Sequence, residues 1–197
     1  MASKGLPIPL ILGAAAGLAL ALSRGGSSGG MTAHPVWPLL NKREKLVPEV
    51  GVYWGARGFG VDRGQGTGKY HAGIDLVADW GDPVLATEDG TIVATQGWDG
   101  SNAKAILLET ISGVVPLYGA VAPGSWKEFG LGVGSKVQRG QAIARVGQYP
   151  GGSEMLHFEL YTKGTTTNEK WYTAKQKPGN LLNPTGYLKR AAGITMA

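Results

Sequence analysis

The chain has 197 residues, enough for one domain with appendages. It contains no cysteine, which excludes disulfides, thiolate metal ligands and a cysteine nucleophile, and its 33 glycines lack the period of a collagen-like repeat. The formal net charge of +5 favours anionic partners such as wall polymers or membrane surfaces. Apart from a cluster at residues 42–45 the basic residues are scattered, so we expect no nucleic-acid partner.

An uncharged run rich in leucine and alanine occupies residues 6–22. A helix of these 17 residues would span roughly 25 Å, slightly less than a hydrocarbon core of about 30 Å. We favour a retained membrane anchor, while a cleaved signal peptide and an apolar tail buried in a larger assembly remain alternatives. Residues 1–24 are therefore predicted to be an anchor or signal-like segment.

Residues 25–50 are predicted to be a flexible linker and connector, beginning with a glycine-serine run. The proline-punctuated part, from His34 to Pro48, is expected to lie on the domain surface, with His34 in solvent. From residue 51 onward, short apolar segments alternate with glycine turns. This pattern predicts a mostly antiparallel β domain over 51–190, followed by a tail at 191–197.

Turn signals divide the predicted β domain into smaller units. In chain order these are a glycine-rich loop over 58–68, a hairpin over 83–94 turning at Asp89-Gly90, paired strands over 103–110 and 114–118, a hairpin-like unit over 133–146, a loop over 162–178 and one short helix within 181–192.

The segment from Met155 to Tyr161 alternates with period two, as a strand does. Its core-facing set is Leu156, Phe158 and Leu160, and its opposite set, expected on an open face, is Met155, His157, Glu159 and Tyr161. Far upstream, His71 and Asp75 offer an imidazole and a carboxylate four residues apart. Two histidines and one aspartate are suited to a catalytic zinc, whose fourth position holds water. The sequence therefore predicts a zinc site at His71, Asp75 and His157.

These motifs resemble those of the lysostaphin-type (LytM-like) zinc endopeptidases, which cut peptide bridges in bacterial peptidoglycan. His-Ala-Gly-Ile-Asp at 71–75 and Leu-His-Phe-Glu-Leu at 156–160 match the family pattern, in which His71, Asp75 and His157 would bind the metal. Further matching segments are 89–93, 137–143 and 183–188. The resemblance runs from about residue 51 to 188. It implies a small antiparallel β-sandwich with a groove on one sheet, a zinc cofactor and peptidoglycan as the partner.

Two positions depart from the family pattern. The resemblance implies catalytic histidines where this chain has Met155 and, within a Tyr-Gly-Ala-Val segment, Ala120. Neither methionine nor alanine can transfer a proton or donate a strong hydrogen bond. We therefore expect a weak or inactive hydrolase, with Glu154 as the nearest carboxylate available to substitute as a base.

Two further residues belong to the predicted site. Glu159 either orients the imidazole of His157 or is an exposed strand carboxylate. Tyr118 either lines the groove or packs at a strand end.

Three classes of function fit the sequence. The first is a peptidoglycan endopeptidase, for which carriage on a phage particle is one alternative. The second is a metal-retaining but inactive wall-binding or regulatory module. The third is a structural part of an envelope or virion assembly. We accordingly expect the protein to be anchored in a membrane and to face the cell wall or periplasm, or to be carried in a phage particle.

Overall fold

The computed structural model of the chain describes residues 34–40, 57–63, 70–98, 102–148, 154–171 and 176–193, all within one folded unit. The helix predicted over 6–22 lies outside these residues. Among the helices that are described, none is long and apolar enough to cross a membrane.

The described residues form two antiparallel sheets and one α-helix. The elements are β1 (Ile74–Val77), β2 (Pro83–Leu85), β3 (Gly90–Gly97), β4 (Lys104–Thr110), β5 (Val114–Val121), a 3-10 helix (Ser125–Phe129), β6 (Lys136–Val137), β7 (Ala142–Arg145), β8 (Met155–Thr162), β9 (Leu181–Leu182) and α1 (Thr185–Ala191). The larger sheet has the order β1-β8-β5-β4-β3-β6, with β9 also paired to β8, and the smaller sheet pairs β2 with β7.

The two sheets share one apolar core. Val84 and Ile143 of the smaller sheet belong to the same buried cluster as Ile92, Leu156 and Phe158 of the larger one. Helix α1 joins this cluster through Tyr187 and Leu188. Since each sheet buries its apolar face against the other, the predicted mostly β, antiparallel sandwich is confirmed.

The strand pairing differs from the prediction in two places. The β4–β5 hairpin is confirmed, with Ile106 opposite Tyr118. The hairpins predicted over 83–94 and 133–146 are wrong, because β2 pairs with β7 while β3 pairs with β4 and β6. Each expected hairpin therefore crosses from one sheet to the other. Turn residues such as Asp89-Gly90 mark where the chain turns, but they do not specify which strand becomes the partner.

The described part of the connector, residues 34–40, enters the core instead of lying on the surface as expected. Trp37 and Leu39 are almost fully buried, and Leu39 forms a bridge with Val84 of β2. The Leu85 amide donates to the carbonyl of Pro38, so this segment extends the smaller sheet. Burial of two large apolar side chains explains why it does not lie on the surface. His34 is exposed, as predicted.

Strand β8 lies between β1 and β5 and is buried along nearly its whole length. His157 lies opposite Asp75 on one side and opposite Gly119 on the other. This register sets the positions of the candidate site.

Candidate metal centre

The side chains of His71, Asp75 and His157 meet at one point. Their nearest ligand atoms all lie within 4.8 Å of one another. Asp75 Oδ1 is 2.8 Å from His157 Nδ1 and 3.1 Å from His71 Nε2, and the two ring nitrogens are 3.2 Å apart. All three residues are buried. Two segments separated by more than 80 residues of sequence thus converge through the pairing of β1 with β8.

Local backbone structure explains this convergence. The β1–β8 register places Asp75 directly opposite His157, and His71 lies just before β1. Between the two upstream residues, Gly73 passes close to β8: a Cβ there would be 2.4 Å from the Phe158 carbonyl oxygen and 2.8 Å from His157 Nε2. Only glycine allows this approach, so Gly73 lets the two segments come together.

Each imidazole is oriented by a second hydrogen bond. His71 Nδ1 donates to the Gly58 carbonyl at 2.7 Å, which leaves Nε2 facing the cluster. His157 Nε2 donates to Glu159 Oε1 at 2.8 Å, which leaves Nδ1 facing the cluster. The Tyr161 hydroxyl donates to the other oxygen of Glu159. It also accepts from the Glu169 amide at 2.8 Å. Such outer partners set the tautomer and angle of histidines that bind metals.

Charge and burial shift two pKa values in the cluster. Burial alone would raise the pKa of Asp75, but hydrogen bonds from His157 and His71 hold it well below its usual value. Burial alone would lower the pKa of His157, but its hydrogen bonds to Asp75 and Glu159 raise it to about 9. Burial and the neighbouring Glu159 charge raise the pKa of Tyr161, so its hydroxyl stays a donor.

The donor set fits zinc. Two imidazole nitrogens and one carboxylate oxygen are ligands that zinc accepts, and catalytic sites use three protein ligands with one open position. Tetrahedral ligands about 2.1 Å from an ion are about 3.4 Å from one another. The observed separations of 2.8–3.2 Å need to open only slightly to match. The cluster can therefore hold one metal ion without rearrangement of the strands.

The wall beside the cluster is apolar. Ala120 and Met155 are buried and belong to one cluster with Trp98. The ring of Trp98 packs against the ring of His157, with centroids 5.0 Å apart. It also lies over Gly119, where a Cβ would be 2.8 Å from the indole nitrogen. The expected open face of β8 is therefore covered, because Trp98 and neighbouring segments pack over it.

The other two sequence candidates do not join the cluster. Tyr118 is fully buried in the core between the sheets and accepts a 2.9 Å hydrogen bond from the Thr87 amide. Of the two alternatives for Tyr118, packing rather than lining the groove agrees with its position: Gly119 opposes His157, so Tyr118 faces the other way, beside Phe158. Glu154 accepts a 3.1 Å hydrogen bond from the Trp80 amide.

Four residues near the site were missed by the sequence reasoning. They are Gly58, Arg63, Trp98 and Tyr161. Tyr161 shares the period-two face of His157 and Glu159, so its signal was present. Gly58 acts through a backbone carbonyl, which leaves no trace in side-chain type. Arg63 and Trp98 lie outside the strand that carries the motif.

The chain belongs to Peptidase family M23, which it matches over residues 69–169, just over half of its length. The matched region contains His71, Asp75 and His157. A curated relative, a lipoprotein NlpD/LppB homolog from Pseudomonas aeruginosa, is 28% identical over 130 residues. That alignment covers 66% of this chain and 42% of the relative, so the chain spans less than half of the relative's length.

Solved structures show the same fold. The catalytic domain of the antimicrobial peptidase lysostaphin from Staphylococcus simulans has a TM-score of 0.52 and 22% identity, covering 67% of this chain and 89% of that domain. An NMR structure of lysostaphin has a TM-score of 0.53 and 23% identity, covering 71% of this chain and 51% of that one.

Proposed function

We propose that this protein is a peptidoglycan-directed member of the M23 family that holds zinc at His71, Asp75 and His157 and hydrolyses peptide bonds weakly or not at all. The observation that carries the proposal is the contrast within one site. Three well-oriented ligands converge, while the adjoining positions hold Ala120 and Met155.

The three ligands support the metal part of the proposal. Bound there, zinc would lower the pKa of a water molecule and polarise a carbonyl. The chain's own contribution is orientation: Gly58 directs His71, and Glu159 directs His157. Burial of the cluster limits the number of water molecules that can compete for the ion.

The apolar wall supports the weak-activity part. Peptide hydrolysis also needs proton transfer to the leaving amine and stabilisation of the oxyanion, and each positioned acid or base typically contributes about 10²–10⁴-fold. Alanine and methionine can do neither. Glu154 is engaged with the Trp80 amide, so we assign it no catalytic role.

The backbone at Ala120 supports the same interpretation. This alanine has φ 60°, the left-handed conformation, which is uncommon for residues other than glycine and in which histidine is enriched several-fold. Its carbonyl accepts from the Gly147 amide at 2.8 Å, just beyond the last β5–β8 pair, Gly119 with His157. The backbone is thus suited to a histidine while the side chain is an alanine.

Peptidoglycan as the partner rests on the family and on the lysostaphin-like motifs. The net charge of +5 is compatible with anionic wall polymers. A location in the cell envelope is supported by the curated relative, which is named as a lipoprotein. Anchoring through residues 6–22 and carriage on a phage particle stay predictions.

Activity on purified walls and on glycine-rich bridge peptides tests the proposal. Wild type is compared with Met155→His, Ala120→His and the double variant. We expect the double variant to gain at least about 100-fold, the contribution of one positioned acid or base. Adding His157→Ala to it should abolish the gain. Wild-type turnover of about 1 s⁻¹ or more would contradict the proposal.

The restored side chains must fit beside Trp98, which already packs over Gly119. All three histidine variants are therefore also made with Trp98→Ala. Activity that emerges only with Trp98→Ala would still support the proposal that proton transfer has been lost. It would also show that the indole prevents the introduced histidines from fitting. No gain in any combination would favour the second candidate.

That second candidate is a non-catalytic wall-binding or structural component of an envelope or phage assembly, favoured by the apolar wall that closes over the centre. Retention of the protein on insoluble walls, with and without a chelator, distinguishes wall binding from a purely structural role.

A further inference from the structure

The two oxygens of the Asp75 carboxylate have different partners. Its Oδ1 faces the ring nitrogens of His71 and His157 at 3.1 and 2.8 Å. Its Oδ2 accepts a 2.7 Å hydrogen bond from Arg63 Nη2. The side chain of Asp75 is 4% exposed and that of Arg63 is 32% exposed, so the guanidinium lies at the boundary between the buried cluster and solvent.

This contact balances charge as well as orienting an oxygen. Two carboxylates, Asp75 and Glu159, are buried at the centre. Among the described residues that hydrogen-bond to the three candidate ligands, Arg63 is the one lysine or arginine. Charge-assisted hydrogen bonds from arginine are among the stronger ones, and the planar guanidinium holds a carboxylate at a defined angle.

The position of Arg63 is set by its backbone. The segment 57–63 runs beside His71: the Gly60 amide donates to the His71 carbonyl at 2.8 Å, and the His71 amide donates to the Val61 carbonyl at 2.9 Å. Asp62 and Tyr70 form an antiparallel bridge. The same segment supplies the Gly58 carbonyl to His71. One loop therefore supports two of the three candidate ligands.

We propose that Arg63 is a positioning residue of the metal centre, which holds Asp75 so that Oδ1 alone faces the ion. The inference rests on the proposed function only in that the cluster binds a metal. Removing the guanidinium frees Oδ2 to approach the same ion and leaves a buried carboxylate with one fewer donor. Outer partners of this kind typically change metal affinity by about 10–100-fold.

The test uses the full-length protein as wild type, Arg63→Ala, Arg63→Lys and Arg139→Ala. Arg139 is the matched control, because its guanidinium donates to the His34 carbonyl and contacts none of the three ligands. Zinc dissociation constants are measured by competition with a chelator, and the electronic absorption of bound Co²⁺ reports the coordination of the ion. Thermal unfolding without metal is recorded for every variant.

We expect Arg63→Ala to weaken zinc binding by about 10–100-fold. Its Co²⁺ absorption should weaken as Asp75 becomes bidentate. Arg63→Lys keeps the positive charge but lacks the planar guanidinium, so its zinc affinity and Co²⁺ absorption should lie between those of wild type and Arg63→Ala. This variant also tests the proposal if Arg63→Ala does not fold. Arg139→Ala should match wild type in both readouts.

The outcomes separate the two proposals. If wild type binds neither zinc nor Co²⁺, the proposed function fails. If wild type binds and all four proteins share one affinity and one Co²⁺ spectrum, the role of Arg63 is overturned. A lower unfolding temperature in the Arg63 variants with unchanged metal affinity and spectrum would likewise overturn it, since a merely structural ion pair predicts that result.

Discussion

The two faces of β8 are equally buried but are built from different chemistry. On one face, Leu156, Phe158 and Leu160 join the core between the sheets. On the other, His157 and Glu159 are equally hidden from solvent yet fully hydrogen-bonded. Burial alone therefore does not distinguish the structural face from the site face; the hydrogen-bond partners do.

The site face is itself divided. Its polar part runs from Asp75 through His157 and Glu159 to Tyr161, every member with a partner. Its apolar part joins Met155 to Ala120. A buried polar chain is expensive unless all its groups are paired, and here every group has a partner beside an apolar wall. This contrast within one face is the basis of our proposal that the face binds a metal but transfers protons poorly.

Removal of a ligand is the strongest way to separate the two faces. His157→Ala should weaken zinc binding by more than about 100-fold, since loss of a ligand exceeds the effect of an outer partner. Chelator competition on the full-length protein measures it. His34→Ala is the control, because His34 is exposed and should leave affinity unchanged. Wild-type affinity in His157→Ala would refute a centre at this position.

Truncation on the opposite face should affect stability instead. Phe158 is fully buried against Tyr118 and Tyr187, and Phe158→Ala should lower the free energy of unfolding by about 3–5 kcal/mol. Metal stoichiometry of the folded fraction should stay at wild type. Denaturant titration of the metal-free protein measures the loss. Ile111→Ala, at a 56% exposed site, should change it by less than about 0.5 kcal/mol.

Sequence reasoning located β8 and its two faces because period-two alternation is a local property. It also identified the three ligand candidates from their motifs. It could not assign β2 to β7 or show that Tyr118 faces the core. Both facts depend on cross-strand register, which turn residues and alternation do not encode for distant segments.

The sequence also could not predict that the face of β8 carrying His157 and Glu159 is buried, because that burial depends on segments remote in sequence. Glu159 read alone is either an orienting group or an exposed strand carboxylate. The structure shows it buried between His157 and Tyr161. The neighbouring His157 is covered by Trp98, a residue remote in sequence. Likewise Arg63 meets Asp75 only because the loop at 57–63 runs beside His71.

Substitution of Glu159, the carboxylate that orients His157, should give the next largest effect on zinc affinity. Glu159→Ala removes the acceptor of His157 Nε2–H and should weaken zinc binding by about 10–100-fold. Glu159→Gln keeps an acceptor oxygen and should lose less. Glu128→Ala is the control, since that carboxylate is 55% exposed and pairs with Arg145. Equal affinity in Glu159→Ala and wild type would show that His157 is oriented by the strand alone.

The smallest expected effect uses a matched pair of tyrosines: Tyr161 on the site face of β8, and Tyr187 of α1, which stacks on Phe158 at the opposite face. Tyr161 donates to Glu159, and Tyr187 donates to buried Glu88 at 2.6 Å. Each variant to phenylalanine removes a buried hydroxyl from a carboxylate, at a cost of about 1–3 kcal/mol. Only Tyr161→Phe should also weaken zinc binding, by a few-fold to about tenfold, because the effect passes through Glu159 to His157. Tyr187→Phe should lower the unfolding temperature and leave zinc affinity at wild type. If both variants lose stability and neither changes zinc affinity, the hydrogen bonds that support the metal end at Glu159. Tyr161 then contributes only to stability, as Tyr187 does.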